Sequence, residues 1–429
     1  MNIAVVGLWH LGTVTAGCLA SAEHEVIAFD SDRSLIGNLK RGVLPVNEPG
    51  LAALNACAIS TNKLTFTENA EDIAKCDLVW VCFDTPVDDD DKADVAFVEE
   101  KITTLFPHLK TGSVLLISSQ VPVGFTRRIA KKLESARPDH VFHVAYSPEN
   151  LRLGKAIEVF TKPDRVIVGA DGSVAKQVIE QALKPFTNNI VWMGIESAEM
   201  TKHAVNSFLA VSVSFINEIA VICEQVGADA KEVELGLKSE QRIGPKAYLS
   251  PGAAFAGGTL ARDVAFLVET AGGHEREVPL LASVRRSNEE HKRWAQRRLL
   301  DNLSALRGQT IAILGLTYKS GTDTLRRSSS VELCEWLTKQ GATVQAHDPA
   351  INVLPEDMKT DIVLKSSIEG ALENANAVVV ATEWPEFRSL SAEEVSRLMV
   401  KPLVLDANGF LRKQLGDHAN IRYLAVGKP

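Results

Sequence analysis

Residues 2–7 form a short apolar run, rich in β-branched side chains, that ends at Gly7. Residues 13–20 are small and largely apolar and predict a helix. Residues 25–29 are a second apolar run, closed by Asp30. Strand, glycine turn, helix, strand and acid in that order describe a βαβ unit on a parallel sheet. Further apolar runs at 78–83, 113–118, 141–146 and 165–169 predict more strands, spaced for crossover helices. From 196 to 226 the pattern changes: no turn signal intervenes, and Ala204, Phe208, Val211, Phe215, Ile219 and Ile222 recur at helical spacing. One long helix is expected there, too long for a small domain to bury alone, and so expected to serve as a subunit interface. Helical sequence continues to about residue 302. A second βαβ pattern opens at 310–315, followed by a helix at 329–340 and strands at 343–347, 377–381 and 403–406.

A length of 429 residues suits two to three domains. Together with the pattern it predicts an α/β chain of two Rossmann-like, doubly wound parallel-sheet domains, 1–192 and 303–429, joined by a helical domain, 193–302. The composition, 45% hydrophobic and 23% charged, is that of an ordinary globular protein. The net charge of -8, with no basic run, makes nucleic acid an unexpected partner. The acidic run at 88–91 is expected to be a solvated loop. No leader pattern precedes the first strand, and no apolar run is expected to cross a membrane. Cys18, Cys57, Cys76, Cys82, Cys223 and Cys334 lack metal-like spacing and predict reduced thiols in a cytoplasmic protein. The ten histidines form no ligand cluster, so no metal is expected.

The first glycine turn reads Gly7-Leu8-Trp9-His10-Leu11-Gly12. A dinucleotide fingerprint is Gly-x-Gly-x-x-Gly, whose middle glycine lets backbone approach the pyrophosphate at the helix N-terminus. Trp9 holds that middle position. Its indole either closes the phosphate loop or swings outward as a lid, since only backbone must approach the phosphates. Asp30 ends the second strand, where a carboxylate accepts ribose hydroxyls and disfavours a 2′-phosphate, so NAD is expected over NADP.

The stretch Arg242-Ile-Gly-Pro-Lys246, then Pro251-Gly-Ala-Ala-Phe255-Ala-Gly257-Gly-Thr259-Leu-Ala-Arg262-Asp263, resembles the active-site loop of the nucleotide-sugar 6-dehydrogenases, the UDP-glucose/GDP-mannose dehydrogenase family. The resemblance extends over nearly the whole chain. It includes Asn47-Glu-Pro-Gly-Leu51, Asp84-Thr85-Pro86, Ser119-Gln120-Val-Pro-Val-Gly124, Ser147-Pro148-Glu149-Asn150-Leu151, Lys202-x-x-x-Asn206, Gly315-Leu-Thr-Tyr-Lys319 through Arg326, and Thr382-Glu-Trp-Pro-Glu-Phe387. What it implies is an NAD enzyme acting on a nucleotide-sugar, a UDP-sugar above all, as a homodimer serving polysaccharide biosynthesis. It implies cofactor contacts at Gly7, Trp9, Leu11, Gly12, Asp30, Thr85, Gln120 and Lys319. It implies substrate contacts at Leu151, Arg242, Phe255, Gly257, Lys319 and Arg326, and catalytic roles for Glu149, Lys202, Asn206, Thr259 and Asp263. Lys202 and Asn206, at i and i+4, share one helix face and so can address one substrate oxygen. A lysine there would stabilise oxyanion character during hydride loss.

Several positions depart from the family pattern: Trp9, Asp84, Gln120, Leu153 in place of a glutamate, Arg262 in place of a lysine, and above all Thr259. The family residue at 259 is a cysteine that holds the sugar as a thiohemiacetal and then a thioester. A thiol has a pKa of about 8.5, which a nearby cation lowers further. An aliphatic hydroxyl needs an adjacent general base to become comparably nucleophilic. The alcohol-to-aldehyde half needs only a hydride acceptor, a base and positioning. The residues therefore predict an oxidation that stops at the aldehyde. Two alternatives stay open: full four-electron oxidation by a route without a thioester, and an inactive binding or scaffold homologue.

Overall fold

The computed structural model describes residues 1–88, 93–149, 151–256, 258–325, 328–358 and 362–428. They fold as two compact units, Met1–Val205 and Asn206–Pro429.

In the first unit, eight strands make one sheet: β1 (Asn2–Val6), β2 (Glu25–Phe29), β3 (Leu64–Thr67), β4 (Leu78–Val81), β5 (Val114–Ile117), β6 (His143–Tyr146), β7 (Val166–Ala170) and β8 (Ile190–Met193). Their order is β3-β2-β1-β4-β5-β6-β7-β8. The order reverses between β1 and β4, which puts the ligand crevice of a doubly wound sheet beyond the carboxyl ends of those two strands. β4 and β5 are buried at every position, as strands covered by helices on both faces must be. Successive side chains separate into two cores. Ile3, Val5, Leu78, Trp80, Val114 and Leu116 join one apolar cluster, and Ala4, Val6, Val79, Val81, Leu115 and Ile117 the other. Each such burial stabilises by roughly 1.5–3 kcal/mol for a full Val, Leu or Ile side chain.

The expectation of a wholly parallel sheet needs one correction: β7 runs antiparallel to β6, with Ala145 opposite Ala170 and Tyr146 opposite Gly169. The connection between them carries only the six-residue helix Ala156–Thr161, too short to bring the chain back along the sheet as a crossover. It therefore stays at the carboxyl end of β6, the end where ligands bind, and it carries Glu149 and Leu151.

In the second unit, β9 (Thr310–Leu314), β10 (Thr343–His347), β11 (Val363–Leu364), β12 (Ala377–Val380), β13 (Leu403–Asp406) and β14 (Arg422–Leu424) form a sheet of order β11-β10-β9-β12-β13-β14. Its pairings are all parallel. The helices Ala230–Ser239, Thr259–Gly273, Pro279–Lys292 and Trp294–Asn302 precede it. Ala220, Ala230, Trp294, Leu299 and Leu303 share an apolar cluster with Ile311, Ile313 and Val344 of the sheet.

The unit boundary falls inside a 32-residue helix, Ile195–Val226, where one long helix was expected. No apolar run was expected to cross a membrane; by length and composition alone this helix is long and apolar enough to do so, a test that the core helix of a globular protein passes as well.

Candidate active site

The turn after β1 is built from backbone constraints. Gly7 has φ +87°, and a Cβ there would lie 2.5 Å from the Phe83 ring. A Cβ on Gly12 would lie 1.9 Å from the Gly7 carbonyl oxygen. Both positions therefore require glycine. Trp9 does not need to be one: it caps the helix His10–Ser21 with φ -74°, which any L-residue adopts. Trp9 is 49% exposed, so it is not packed away in the core. The helix start leaves first-turn N–H groups directed at the turn, a ready anion site. Asp30 braces the same turn, accepting from Leu8 N at 2.8 Å through Oδ2 and from Asp32 N at 3.0 Å through Oδ1. A carboxylate oxygen has two lone pairs, so these bonds leave acceptor capacity for a ribose hydroxyl. Thr85 and Gln120 come together beyond the ends of β4 and β5, where the threonine hydroxyl donates to the Gln120 carbonyl at 2.6 Å. Leu11 is half-buried against the first core. These residues fit a dinucleotide.

A buried carboxylate ties this turn to the loop after β6. Glu48, 3% exposed, lies 2.9 Å from His10 Nε2 and accepts from Gly154 N and Ala156 N, both at 2.8 Å. Burial alone would raise its pKa; the hydrogen bonds from His10, Gly154 and Ala156 outweigh that and hold the carboxyl below its ordinary value. Glu199, fully buried, accepts from Gly124 N and Thr126 N at the start of the helix Phe125–Ala136. Neither role was legible in the sequence: Glu48 lies in the stretch Asn47–Leu51 without a role of its own, and Glu199 is one acid among many.

Of the expected reactive residues, the first unit brings two together. Lys202 Nζ donates to the Glu149 carbonyl at 2.5 Å and lies 3.9 Å from its carboxylate. The lysine side chain is 10% exposed. Leu151 packs against the cluster of Val14, Cys18, Leu51 and Ala156.

The second unit joins two others. The Asn206 amide donates to the carboxylate of Asp263, which is fully buried. Asp263 stands one turn beyond Thr259 on the helix Thr259–Gly273, so both lie on one face. Gly258 precedes that helix with φ +113°, and Thr259 itself is exposed. Phe255 is half-buried against Ala210, Val264 and Val284. Arg242 is exposed and pairs with Glu240 at 3.0 Å. Lys319 sits in the turn after β9, its carbonyl accepting from the Thr322 hydroxyl at 2.7 Å. Gly257 and Arg326 lie outside the described residues.

This second sheet repeats the first turn's construction. Gly315 has φ +93° against Thr382, and Asp348, ending β10, accepts from Leu316 N at 2.7 Å and Thr317 N at 2.9 Å. Here the acid is 2% exposed, and Trp384 Nε1 donates to it at 3.1 Å. Asp348 is thus closed off from a ribose, in keeping with the missing fingerprint.

Comparison with known proteins agrees with this geometry. Residues 1–187 match the NAD binding domain of the UDP-glucose/GDP-mannose dehydrogenase family, residues 196–290 its central domain and residues 312–413 its UDP binding domain. The UDP-glucose 6-dehydrogenase of Rhizobium meliloti is 33% identical, with 100% of each chain covered. UDP-glucose 6-dehydrogenase TuaD of Bacillus subtilis is 32% identical, over 100% of this chain and 93% of that protein. Among solved structures, a UDP-glucose dehydrogenase from Pyrobaculum islandicum superposes with a TM-score of 0.87 at 29% identity, covering 100% of this chain and 98% of that one. The UDP-D-ManNAc dehydrogenase of Pyrococcus horikoshii gives 0.85 at 26%, over 100% and 99%. With an NAD binding domain on the glycine turn and a UDP binding domain on the second sheet, the chain belongs to the UDP-glucose/GDP-mannose dehydrogenase family.

Proposed function

We propose that this chain oxidises the C6 carbinol of a UDP-sugar and releases the aldehyde after a single hydride transfer. The family match along the whole chain supports the substrate class and the reaction type. The stopping point is carried by one observation: the exposed residue that opens the helix Thr259–Gly273 has a hydroxyl where a thiol would be needed.

NAD, when bound, supplies the hydride acceptor. Gly7, Trp9, Leu11, Gly12, Asp30, Thr85 and Gln120 would hold it. Lys202 would stabilise negative charge on the reacting oxygen, because a desolvated ammonium acts strongly on developing charge. Asp263, oriented by Asn206, and Glu149 would handle the hydroxyl proton. A hydroxyl at 259 needs a general base of its own before it can trap the aldehyde covalently, and Asp263, one turn away, is engaged by the Asn206 amide. Leu153, in place of a carboxylate, further weakens any hydrolytic half-reaction. Lys319, Arg326, Arg242, Leu151, Phe255 and Gly257 would hold the nucleotide-sugar, with charge and diphosphate meeting in the first two.

The long helix also supports a homodimer. Val205, Phe208, Phe215, Ile222 and Val226 are 40%, 67%, 46%, 56% and 71% exposed, and Phe208, Phe215 and Ile222 recur every seven residues, so they share one face of the helix. Such an exposed apolar stripe fits a second copy of itself. The proposed setting is a cytoplasmic enzyme that supplies polysaccharide biosynthesis.

The deciding experiment is the ratio of NADH formed to UDP-glucose consumed, with the product identified by mass. A ratio near one with aldehyde supports the reading. A reproducible ratio of two with acid rejects it in favour of a four-electron route, and no turnover with no NAD binding supports the inactive homologue.

A further inference from the structure

The segment 251–256, which leads to Thr259, is held by side chains that no motif singled out. Asn217, on the long helix, accepts from Gly252 N at 3.0 Å. Asn288 clasps Phe255 from both sides, accepting from its N–H at 3.0 Å and donating to its carbonyl at 2.8 Å. His291 Nε2 lies 2.8 Å from the Gly252 carbonyl and so carries its proton there. These three side chains are 2%, 4% and 6% exposed, and a buried polar group resists losing its partner. The segment is therefore stiff on its inner side.

On its outer side a different contact is made. Asn408, two residues beyond β13, accepts from Ala253 N at 2.7 Å through Oδ1 and donates to Glu383 Oε1 at 2.8 Å through Nδ2. Gly252 lies so close that a Cβ on it would sit 2.3 Å from Asn408 Oδ1. Glu383 follows Thr382, which packs on Gly315 and donates through its hydroxyl to the Thr317 carbonyl at 2.7 Å. One amide thus connects the glycine turn of the second sheet, through residues 382–383, to the segment that presents Thr259. Asn408 and Glu383 are both exposed at the carboxyl end of the sheet, where ligands of parallel sheets bind.

We infer that Asn408 is a positioning residue that couples occupancy of the nucleotide end of the substrate site to the setting of the sugar-facing segment 252–255. The inference rests on the proposed UDP-sugar reading. A nucleoside diphosphate that orders the turn at 315–319 and the neighbouring 382–383 fixes Glu383. Glu383 then fixes the amide, and the amide fixes Ala253. Because the segment is already clamped by Asn217, Asn288 and His291, it responds as a unit. Binding energy from the remote nucleotide is thereby used to orient the reacting end.

The test is hydrogen–deuterium exchange of the full-length protein with uridine diphosphate alone, followed at segments 251–256 and 315–319. In the wild type, uridine diphosphate should slow exchange at both, by about fivefold or more at 251–256 if the coupling has an ordinary magnitude. In Asn408→Ala and in Asn408→Asp, whose carboxylate repels Glu383, protection should persist at 315–319 and vanish at 251–256. In steady state both variants should raise KM for UDP-glucose, with KM for NAD unchanged. Equal protection of 251–256 in wild type and variants would overturn the coupling. So would a wild type protected at 315–319 alone. Protection at neither segment would instead overturn the nucleotide-sugar reading, and the coupling with it.

Discussion

The Lys202 ammonium lies 2.5 Å from the main-chain carbonyl of Glu149 and 3.9 Å from that residue's carboxylate. The lysine is thus aimed by backbone, with the carboxylate near but not locked to it. A point charge held this way is placed for an oxygen that becomes negative. Lys202→Ala should lower kcat by about 10²–10³, the usual loss on removing one oxyanion donor. Lys202→Arg should not rescue it, because a guanidinium fork does not reproduce a point charge at Nζ. Initial rates of NADH formation at saturating UDP-glucose and NAD measure both. A Lys202→Ala enzyme with unaltered kcat would remove the lysine from the chemistry.

Thr259→Cys should restore part of what the hydroxyl lacks. A thiol at the first position of the 15-residue helix Thr259–Gly273 sits at the positive end of the dipole, which favours the thiolate. The variant should yield some acid, with NADH per UDP-glucose rising above one, and the Leu153→Glu/Thr259→Cys double variant should yield more. Mass spectrometry of the product and of the protein checks this, since a thioester adds the sugar nucleotide to residue 259. If the variant's product mixture matches the wild type, the missing sulfur is not what stops the reaction.

The β1–Gly7–Asp30 unit and its counterpart at Gly315 were legible because each strand is a compact apolar run that ends in a residue only one conformation explains. The short edge strands β3, β8, β11 and β14 were not, since two to four residues are too few to set up a clear alternation. The reversal of β7 was hidden as well, because direction depends on the length of a connection and not on the strand's own residues. Lys202, Glu149, Asn206 and Asp263 were found by resemblance, and the structure pairs them within each unit. Glu48, Asn217, Asn288, His291 and Asn408 act on backbone N–H and carbonyl groups far off in sequence, so no local spacing announces them. Asp348 shows the reverse case: the same station as Asp30 by pattern, with its carboxylate buried under Trp384.

Trp9 provides a reporter for the cofactor. The residue is exposed at the helix start, and the backbone conformation there needs no glycine. NAD titration should quench tryptophan fluorescence in the wild type. In Trp9→Phe, which retains the other five of the six tryptophans, most of that signal should disappear with affinity for NAD little changed. If the Trp9→Gly variant instead binds NAD about tenfold or more tightly, a difference near 1.4 kcal/mol, the indole obstructs the phosphate loop.

Glu48 makes the sharpest pH prediction. Its hydrogen bonds hold the carboxyl below the ordinary value despite burial, so the folded state prefers it ionised. For an acid depressed in this way, the unfolded chain binds the proton first as pH falls. The stabilisation is fully present above the unfolded value of about 4.3 and is lost as pH drops through the lower native value. Glu48→Gln leaves the His10, Gly154 and Ala156 donors with a partner that cannot accept from all of them. At pH 7 the variant should be less stable by about 1–3 kcal/mol, the cost of a buried donor left unsatisfied. Urea unfolding of wild type and variant side by side, both on a His10→Asn background that removes the one titrating partner 2.9 Å from Glu48, cancels the groups remote from it. The difference between the two should stay level from neutral pH down to the ordinary carboxylate range, then shrink towards zero below it, because protonation turns the wild-type side chain into a near equivalent of glutamine. A gap that persists undiminished in acid would mean that Glu48 contributes shape and not charge, and that the link from His10 to the loop after β6 does not depend on its ionisation.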